Sequence, residues 1–252
     1  MSDFARDSLL VGAAMLGGGI NSVAGGGSFF TFPALVFCGL LPIDANATST
    51  VALWPASVGS SVAYRSNVSG LRDKLVPLTL VSLVGGTLGA LLLLWTRNDT
   101  FARIVPWLLL TATTLFALST PAVTWLRRNS RGTLHPGWLA VGHFAVSVYG
   151  GYFGGGMGIL MLAAFAIAGM NDIHAMNGLK SILGAAINSV AVLTFILAGI
   201  VHWREALLMV VGSILGGYFG ARVAKRLNPV HIRWFVIAVG AALTVHFFLA
   251  GG

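Results

Sequence analysis

Gly25-Gly26-Gly27, an apolar run and Asn46-Ala47-Thr48-Ser49-Thr50 return half a chain later as Gly154-Gly155-Gly156, a second apolar run and Asn177-Gly178-Leu179-Lys180-Ser181. The echo extends outward: Val84-Gly85-Gly86-Thr87-Leu88-Gly89-Ala90 matches Leu215-Gly216-Gly217-Tyr218-Phe219-Gly220-Ala221. Asn46 and Asn177, like Ser82 and Ser213, are 131 residues apart, whereas the triplets are offset by 129, so one connecting loop carries two extra residues. Duplicated apolar segments, interrupted by glycine at matching points, mark chains whose binding site lies where the broken helices of two repeats meet in a membrane.

Composition agrees with that solvent. Of 252 residues, 56% are hydrophobic and 9% charged, and the mean hydropathy is +0.87, so polar groups cannot cover the surface in water. The 33 glycines suit helices that approach closely where apolar burial no longer drives association. Cys38 is the sole cysteine, which excludes an intrachain disulfide and a cysteine-built metal site; no cofactor is implied. Met1-Ser2-Asp3-Phe4-Ala5-Arg6-Asp7 holds two acids and leads straight into a span without a small-residue cleavage site, so no removable signal peptide is expected.

Apolar stretches fall near 8–24, 28–41, 46–64, 75–95, 102–126, 137–152, 156–170, 175–201, 205–221 and 231–250. A helix crossing about 30 Å of hydrocarbon needs roughly 20 residues. Residues 8–41 are too long for one crossing, yet each piece beside the glycines is short for a full one; 137–170 repeats the pattern. Each is read as a short helical hairpin turning at its glycines, tolerable in a bilayer where protein or a watery cavity covers the turn.

Charge supports the hairpins, because Lys and Arg accumulate on the cytoplasmic side. If each glycine-broken region returns to its starting side, one side holds Arg65, Arg72, Lys74, Arg127, Arg128, Arg131, Arg222, Lys225, Arg226 and Arg233. The other holds only Arg6, Arg97, Arg103 and Arg204. Each half then crosses an odd number of times, and the halves are inverted. The expectation is an all-α, polytopic transmembrane bundle of two inverted repeats, each a glycine-broken short hairpin plus three full spans. Residues 1–126 form the first repeat, 127–136 a cytoplasmic linker and 137–252 the second repeat. No basic run is interleaved with aromatics on a soluble domain, so nucleic acid is excluded as a partner. The net charge of +8 is mostly orientation signal, with attraction to anionic lipid headgroups accounting for the rest.

Lys180 is the one basic residue outside loops and helix ends. An ammonium about two turns into an apolar stretch usually faces a cavity, a counter-charge or a substrate. All seven acids lie at segment ends, which points to an anionic substrate; the competing reading is that Lys180 snorkels to the interface. Around it the repeat supplies Asn46, Thr48, Ser49 and Thr50 from one half and Asn177, Ser181 and Asn188 from the other, with Ser49 in register with Lys180. Such groups donate to oxyanions, and helices beginning near Asn46 and Asn177 would add free backbone N–H groups. The alternatives are that both asparagines are N-caps and that Thr48 and Thr50 bond back to their own helix.

The glycines of the two turns, Gly26 and Gly27 with Gly155 and Gly156, allow conformations closed to other residues and close approach to a ligand. Gly85, Gly86 and Gly89 and their counterparts Gly216, Gly217 and Gly220 read as packing faces. Pro33 and Pro55 read as kinks. His143 and His246 sit in apolar stretches, where proton relay competes with a plain hydrogen bond to a neighbouring helix. No His pair has metal-ligand spacing, and Ser28 lacks a Gly-x-Ser-x-Gly setting, so no enzyme is expected.

Gly25-Gly26-Gly27-Ser28-Phe29-Phe30-Thr31-Phe32-Pro33-Ala34-Leu35 with Asn46-Ala47-Thr48-Ser49-Thr50-Val51-Ala52-Leu53-Trp54-Pro55 resembles the first repeat of the TauE/SafE (sulfite exporter, or toluenesulfonate uptake permease) family. Gly154-Gly155-Gly156 with Asn177-Gly178-Leu179-Lys180-Ser181 resembles the second. Nearly the whole chain is covered. The resemblance implies a bacterial inner-membrane carrier of small sulfur-containing anions such as sulfite, sulfoacetate or other organosulfonates, working by alternating access. Met157-Gly158-Ile159 departs from the Phe-rich run expected after the second triplet, which implies an asymmetric pocket wall.

Both lines converge on an anion site in which Lys180 supplies the charge and Asn46, Ser49, Asn177 and nearby backbone donors orient the oxyanion. A channel or passive facilitator for the same anions needs the same site without coupled gates, and stays open as the alternative. The expected partners are the anion and membrane lipid, with self-association left open.

Overall fold

The computed structural model describes residues 2–23, 26–63, 68, 70–129, 136–170, 172–224 and 229–250. Among them are ten α-helices and no strand. The first five are α1 (Asp3–Val23), α2 (Ser28–Phe37), α3 (Pro42–Ala63), α4 (Arg72–Trp95) and α5 (Asn98–Asn129). The second five are α6 (Pro136–Tyr152), α7 (Met157–Ile167), α8 (Ile173–Leu197), α9 (Trp203–Ala224) and α10 (Pro229–Ala250). In each set the second helix is short, 10 residues in α2 and 11 in α7. The helix α1 packs on α2 and α6 on α7, so both glycine regions do turn back on themselves. The arm α1 is longer than expected at 21 residues, because the helix continues through the polar N-terminal segment, with Asp3 at the favourable end of its dipole. Gly25 and residues 130–135 of the expected linker lie outside the described residues, and α5 runs on to Asn129.

By length and apolarity alone, α4 and α8 qualify as membrane-crossing helices among the described residues. The pattern of burial says more. On α4 the outward face is Val76, Leu80, Val84, Leu88 and Leu92, and the buried face holds Ser82, Gly85, Gly86 and Gly89. On α9 Leu207, Val211, Ile214 and Tyr218 are exposed while Ser213 is fully buried. Helices with their largest apolar side chains outward and small or polar ones inward are built for lipid. Trp95, Trp125, Trp138, Trp203 and Trp234 are all exposed within the first or last two turns of their helices, where amphipathic rings sit at headgroup level.

The two sequence halves interpenetrate. The helix α9 packs along α1 and α3, and α4 along α6 and α8, giving one group of α1, α2, α3 and α9 and another of α4, α6, α7 and α8. Glycine makes the exchanged contacts possible. A Cβ on Gly216 would strike the Met15 carbonyl, one on Gly89 the Val148 carbonyl and one on Gly151 the Gly86 carbonyl. A core of Met157, Met161, Phe165, Met176, Leu179 and Leu183 lies wholly within the second group. The groups meet chiefly through α3 and α8, while α5 and α10 pack on each other alongside.

Two expected helix starts are corrected. The helix α3 begins at Pro42, whose fixed φ suits a first helical position, and α8 begins at Ile173, capped by Asp172, whose carboxylate accepts from the N–H of His174 at 2.9 Å and of Ala175 at 3.3 Å. Asn46 and Asn177 therefore lie in the second turn, are not N-caps, and bring no free helix-end N–H groups. The packing faces expected of Gly85 and Gly216 are present, and His143 Nε2 lies 2.7 Å from Ser82 Oγ on the neighbouring helix.

Candidate functional site

Where α3 faces α8, between the two glycine turns, lies a cavity of about 130 Å³. Drug-sized ligands fill pockets of roughly 300 Å³ and more, so this one suits a solute of a few heavy atoms. Among the described residues, Lys180 is its one charged lining residue. Glycine shapes the wall beside it: a Cβ on Gly158, in the first turn of α7, would stand 3.1 Å from Lys180 Cδ and 3.5 Å from Cγ. The lysine stem lies flat over that glycine.

The polar lining divides by what each group is already doing. The hydroxyls of Thr50, Ser57 and Ser60 donate back to the carbonyls of Asn46, Leu53 and Ala56 at 2.8, 3.3 and 3.0 Å. Ser57 Oγ also accepts from the amides of Asn21 and Asn188, at 3.4 and 3.3 Å. By contrast, Ser28, Asn177, Ser181 and Lys180 line the cavity with no side-chain hydrogen bond or ion pair among the described residues. A cation and three uncommitted donors in one small space, with no carboxylate facing them, can hold an oxyanion. At an effective dielectric of about 20, a unit charge about 4 Å from the ammonium is worth on the order of 4 kcal/mol.

The residues expected from sequence split into two sets. Lys180, Asn177 and Ser181 line the cavity, together with Thr50 and Asn188. Asn46, Thr48 and Ser49 are buried just outside it. The Asn46 amide donates to the Tyr152 carbonyl at 3.1 Å, Thr48 Oγ1 accepts from the His202 N–H at 3.1 Å, and Ser49 shares a 2.6 Å hydrogen bond with Thr31. Gly26, Gly27, Gly155 and Gly156 shape the turns without lining the space; Gly154 lines it. At the second turn Gly154 and Gly156 adopt φ of 78° and 76°, which only glycine holds cheaply, and the half-buried Tyr149 hydroxyl donates to the Gly155 carbonyl at 2.5 Å. At the first turn Gly27 is ordinary α, and its need is space, since a Cβ there would stand 2.7 Å from the Gly17 carbonyl.

Sequence reasoning passed over Asn21, Ser57 and Ser60, and never considered Ser28 as a ligand-facing hydroxyl. One signal was available. Thr50, Leu53, Ser57 and Ser60 follow helical spacing, so three hydroxyls share a stripe on an otherwise apolar span.

Enlarging Gly158 tests the wall. Gly158→Val forces the Lys180 stem aside; moving the ammonium from about 4 to about 6 Å from a bound charge removes roughly 1.4 kcal/mol, a tenfold rise in KM for the anion. Gly158→Ala, against the flexible middle of the side chain, moves KM less. Concentration-dependent uptake into proteoliposomes measures both, and an unchanged KM in the valine variant would separate Gly158 from the site.

Residues 10–247 match the family described as Sulfite exporter TauE/SafE. The chain is 32% identical over 233 residues to the probable membrane transporter protein YfcA of Escherichia coli K12, covering 92% of this chain and 85% of that one. It is 31% identical over 236 residues to a probable membrane transporter protein, ORF9, of Sinorhizobium sp, covering 92% and 88%. A probable membrane transporter protein of Haemophilus influenzae is 31% identical over 227 residues, covering 89% and 88%. No solved structure matches significantly.

Proposed function

The chain belongs to the sulfite exporter TauE/SafE family, a family of membrane transporters, and from that premise we propose that it is a secondary carrier of small sulfur-containing anions. Sulfite, sulfoacetate and other organosulfonates are the substrates in view. The observation that carries the reading is the Lys180 ammonium with three uncommitted donors in a cavity of about 130 Å³ and no carboxylate facing it. The anion lies against Lys180, with Asn177, Ser181 and Ser28 donating to its oxygens. The protein sits in a bacterial inner membrane with residues 127–136 on the cytoplasmic side.

Two inverted repeats working by alternating access fit the contacts. Exchanging α1–α5 for α6–α10 turns the α1–α9 contact into α6–α4 and the α3–α9 contact into α8–α4, and both members of each pair occur. The bodies that rock are the two four-helix groups, because α9 and α4 are locked by backbone-close glycine contacts to the opposite half. Rocking at the α3–α8 seam opens the cavity to each side in turn.

Counterflow tests the proposal. Proteoliposomes loaded with unlabelled sulfite take up labelled sulfite faster than empty ones, because a carrier returns through its cycle bound. A channel shows no such trans-stimulation, and its absence would replace the carrier by a passive facilitator.

A further inference from the structure

The cavity is lopsided in a way the repeat makes measurable. On α8 its lining residues are Asn177, Lys180, Ser181, Gly184, Ala185 and Asn188. In the 131-residue register their partners on α3 are Asn46, Ser49, Thr50, Leu53, Trp54 and Ser57. Three levels are shared, since Thr50 with Ser181, Leu53 with Gly184 and Ser57 with Asn188 line the cavity from both sides. At every other level one partner lines it and the other is packed away. Asn177, Lys180 and Ala185 face the space; Asn46, Ser49 and Trp54 do not. Ser60 faces it, and its partner Ala191 is buried.

Three of the four differences, at Asn177, Lys180 and Ser60, lean the same way, toward the C-terminal end of α3 and the N-terminal end of α8, while Ala185 against Trp54 falls between shared levels. After α3 the sequence carries Arg65, and the first turn of α4 carries Arg72 and Lys74, on the side that charge assigns to the cytoplasm. The hidden polar members are closed by hydrogen bonds rather than by apolar packing alone: Asn46 to the Tyr152 carbonyl, Ser49 to Thr31, and Trp54 Nε1 to Ser189 Oγ at 2.9 Å. Two of these bonds join the four-helix groups, Asn46 from α3 to α6 and Trp54 from α3 to α8. They are the kind of contact that a rocking motion exchanges for others, and the buried Asn46 amide and Ser49 hydroxyl and the half-buried Trp54 indole on an α3 face need new partners when it opens.

We infer that Asn46, Ser49 and Trp54 line the anion cavity in a second state that faces the opposite side of the membrane, in which Asn177 and Ser60 are withdrawn. The inference rests on the carrier reading above. Lys180 stays with the anion through the change, since its four-carbon stem reaches the shared Thr50–Ser181 level from one residue away. Asn46 and Ser49 thus bind the same oxyanion that Asn177 and Ser181 bind in the state described here.

Thiol accessibility tests this. In a Cys38→Ser background, Ser49→Cys and Ser60→Cys are each exposed to a membrane-impermeant, anionic methanethiosulfonate in membrane vesicles of either orientation. Ser60→Cys is expected to react from the cytoplasmic face, and Ser49→Cys at least tenfold more slowly at rest. Sulfoacetate flux speeds Ser49→Cys from the opposite face and slows Ser60→Cys. Adding Asn46→Ala and Trp54→Phe, which remove two of the bonds across the seam, raises Ser49→Cys labelling about tenfold from that face with no anion present. Asn46→Cys is a second reporter should Ser49→Cys fail to purify as a monodisperse species. Labelling of Ser49→Cys from the same face as Ser60→Cys, or none under any condition while sulfoacetate still crosses, overturns the inference. Labelling that responds to the seam variants without any sulfoacetate flux upholds the second face and retires sulfoacetate as a substrate.

Discussion

Lys180→Met stops exchange of labelled sulfite, reducing it to the rate of protein-free liposomes. The substitution keeps the length and much of the stem that lies over Gly158 and removes only the charge. With the ammonium goes on the order of 4 kcal/mol of attraction for an anion about 4 Å away, roughly a thousandfold in affinity. The remaining donors, Ser28, Asn177 and Ser181, are neutral and cannot recover it. Stability moves the other way. A cation without a carboxylate partner is expensive to keep from water, so an apolar residue of similar volume leaves the thermal midpoint in detergent equal or higher. Sulfoacetate at a hundred times its Kd stabilises the native protein by about 2.7 kcal/mol, and that ligand-dependent rise in midpoint vanishes in the variant. Lys180→Arg keeps the charge and retains part of the flux. Wild-type exchange in Lys180→Met would refute the role assigned to Lys180, and a fall in the ligand-free midpoint would mean that the lysine serves packing instead.

Much of this architecture was legible because it is written twice. Glycine triplets followed by apolar arms marked the two turns, and the ten apolar stretches correspond to ten helices among the described residues. Lys180 was legible as the one basic residue outside loops and helix ends. What escaped was which member of each repeated pair lines the cavity. Asn46 and Asn177 share a register, yet one clamps the Tyr152 carbonyl and the other faces the cavity. Ser49 and Lys180 part in the same way. A repeated sequence describes both members of such a pair alike, whereas the cavity takes one member and leaves the other outside it. The helix starts escaped for a local reason, since Pro42 and Asp172 are better start signals than an asparagine in the second turn. The exchange of α4 and α9 between groups escaped because it rests on backbone contacts that glycines permit but do not announce.

Gly18→Ala is expected to cost more stability than any other single methyl in α1. A Cβ there would collide with the Ser213 carbonyl oxygen and stand 2.8 Å from both the carbonyl carbon and Cα of Ser213. No side chain can rotate away, because the obstacle is the backbone of α9, itself held by the Ser213 hydroxyl donating to the Ala52 carbonyl at 2.7 Å. The two helices must therefore separate along a contact that also includes Gly212 against Val11 and Gly216 against Met15. Overpacking of this kind costs about 1–3 kcal/mol where side chains give way, and rigid backbone puts Gly18 at the upper end. For a chain of this size that lowers the melting midpoint by roughly 6–12 °C. Gly12→Ala, one and a half turns earlier on an exposed part of the same helix with nothing within 4 Å, supplies the comparison. It removes a glycine from a helix interior and gains about 0.5–1 kcal/mol. Equal midpoints for the two variants would show that α1 and α9 are not joined through their backbones. A drop for Gly18→Ala, matched by Gly151→Ala against the Gly86 carbonyl in the other group and absent in Gly12→Ala, shows that α1 is held to α9, and α6 to α4, through backbone contact.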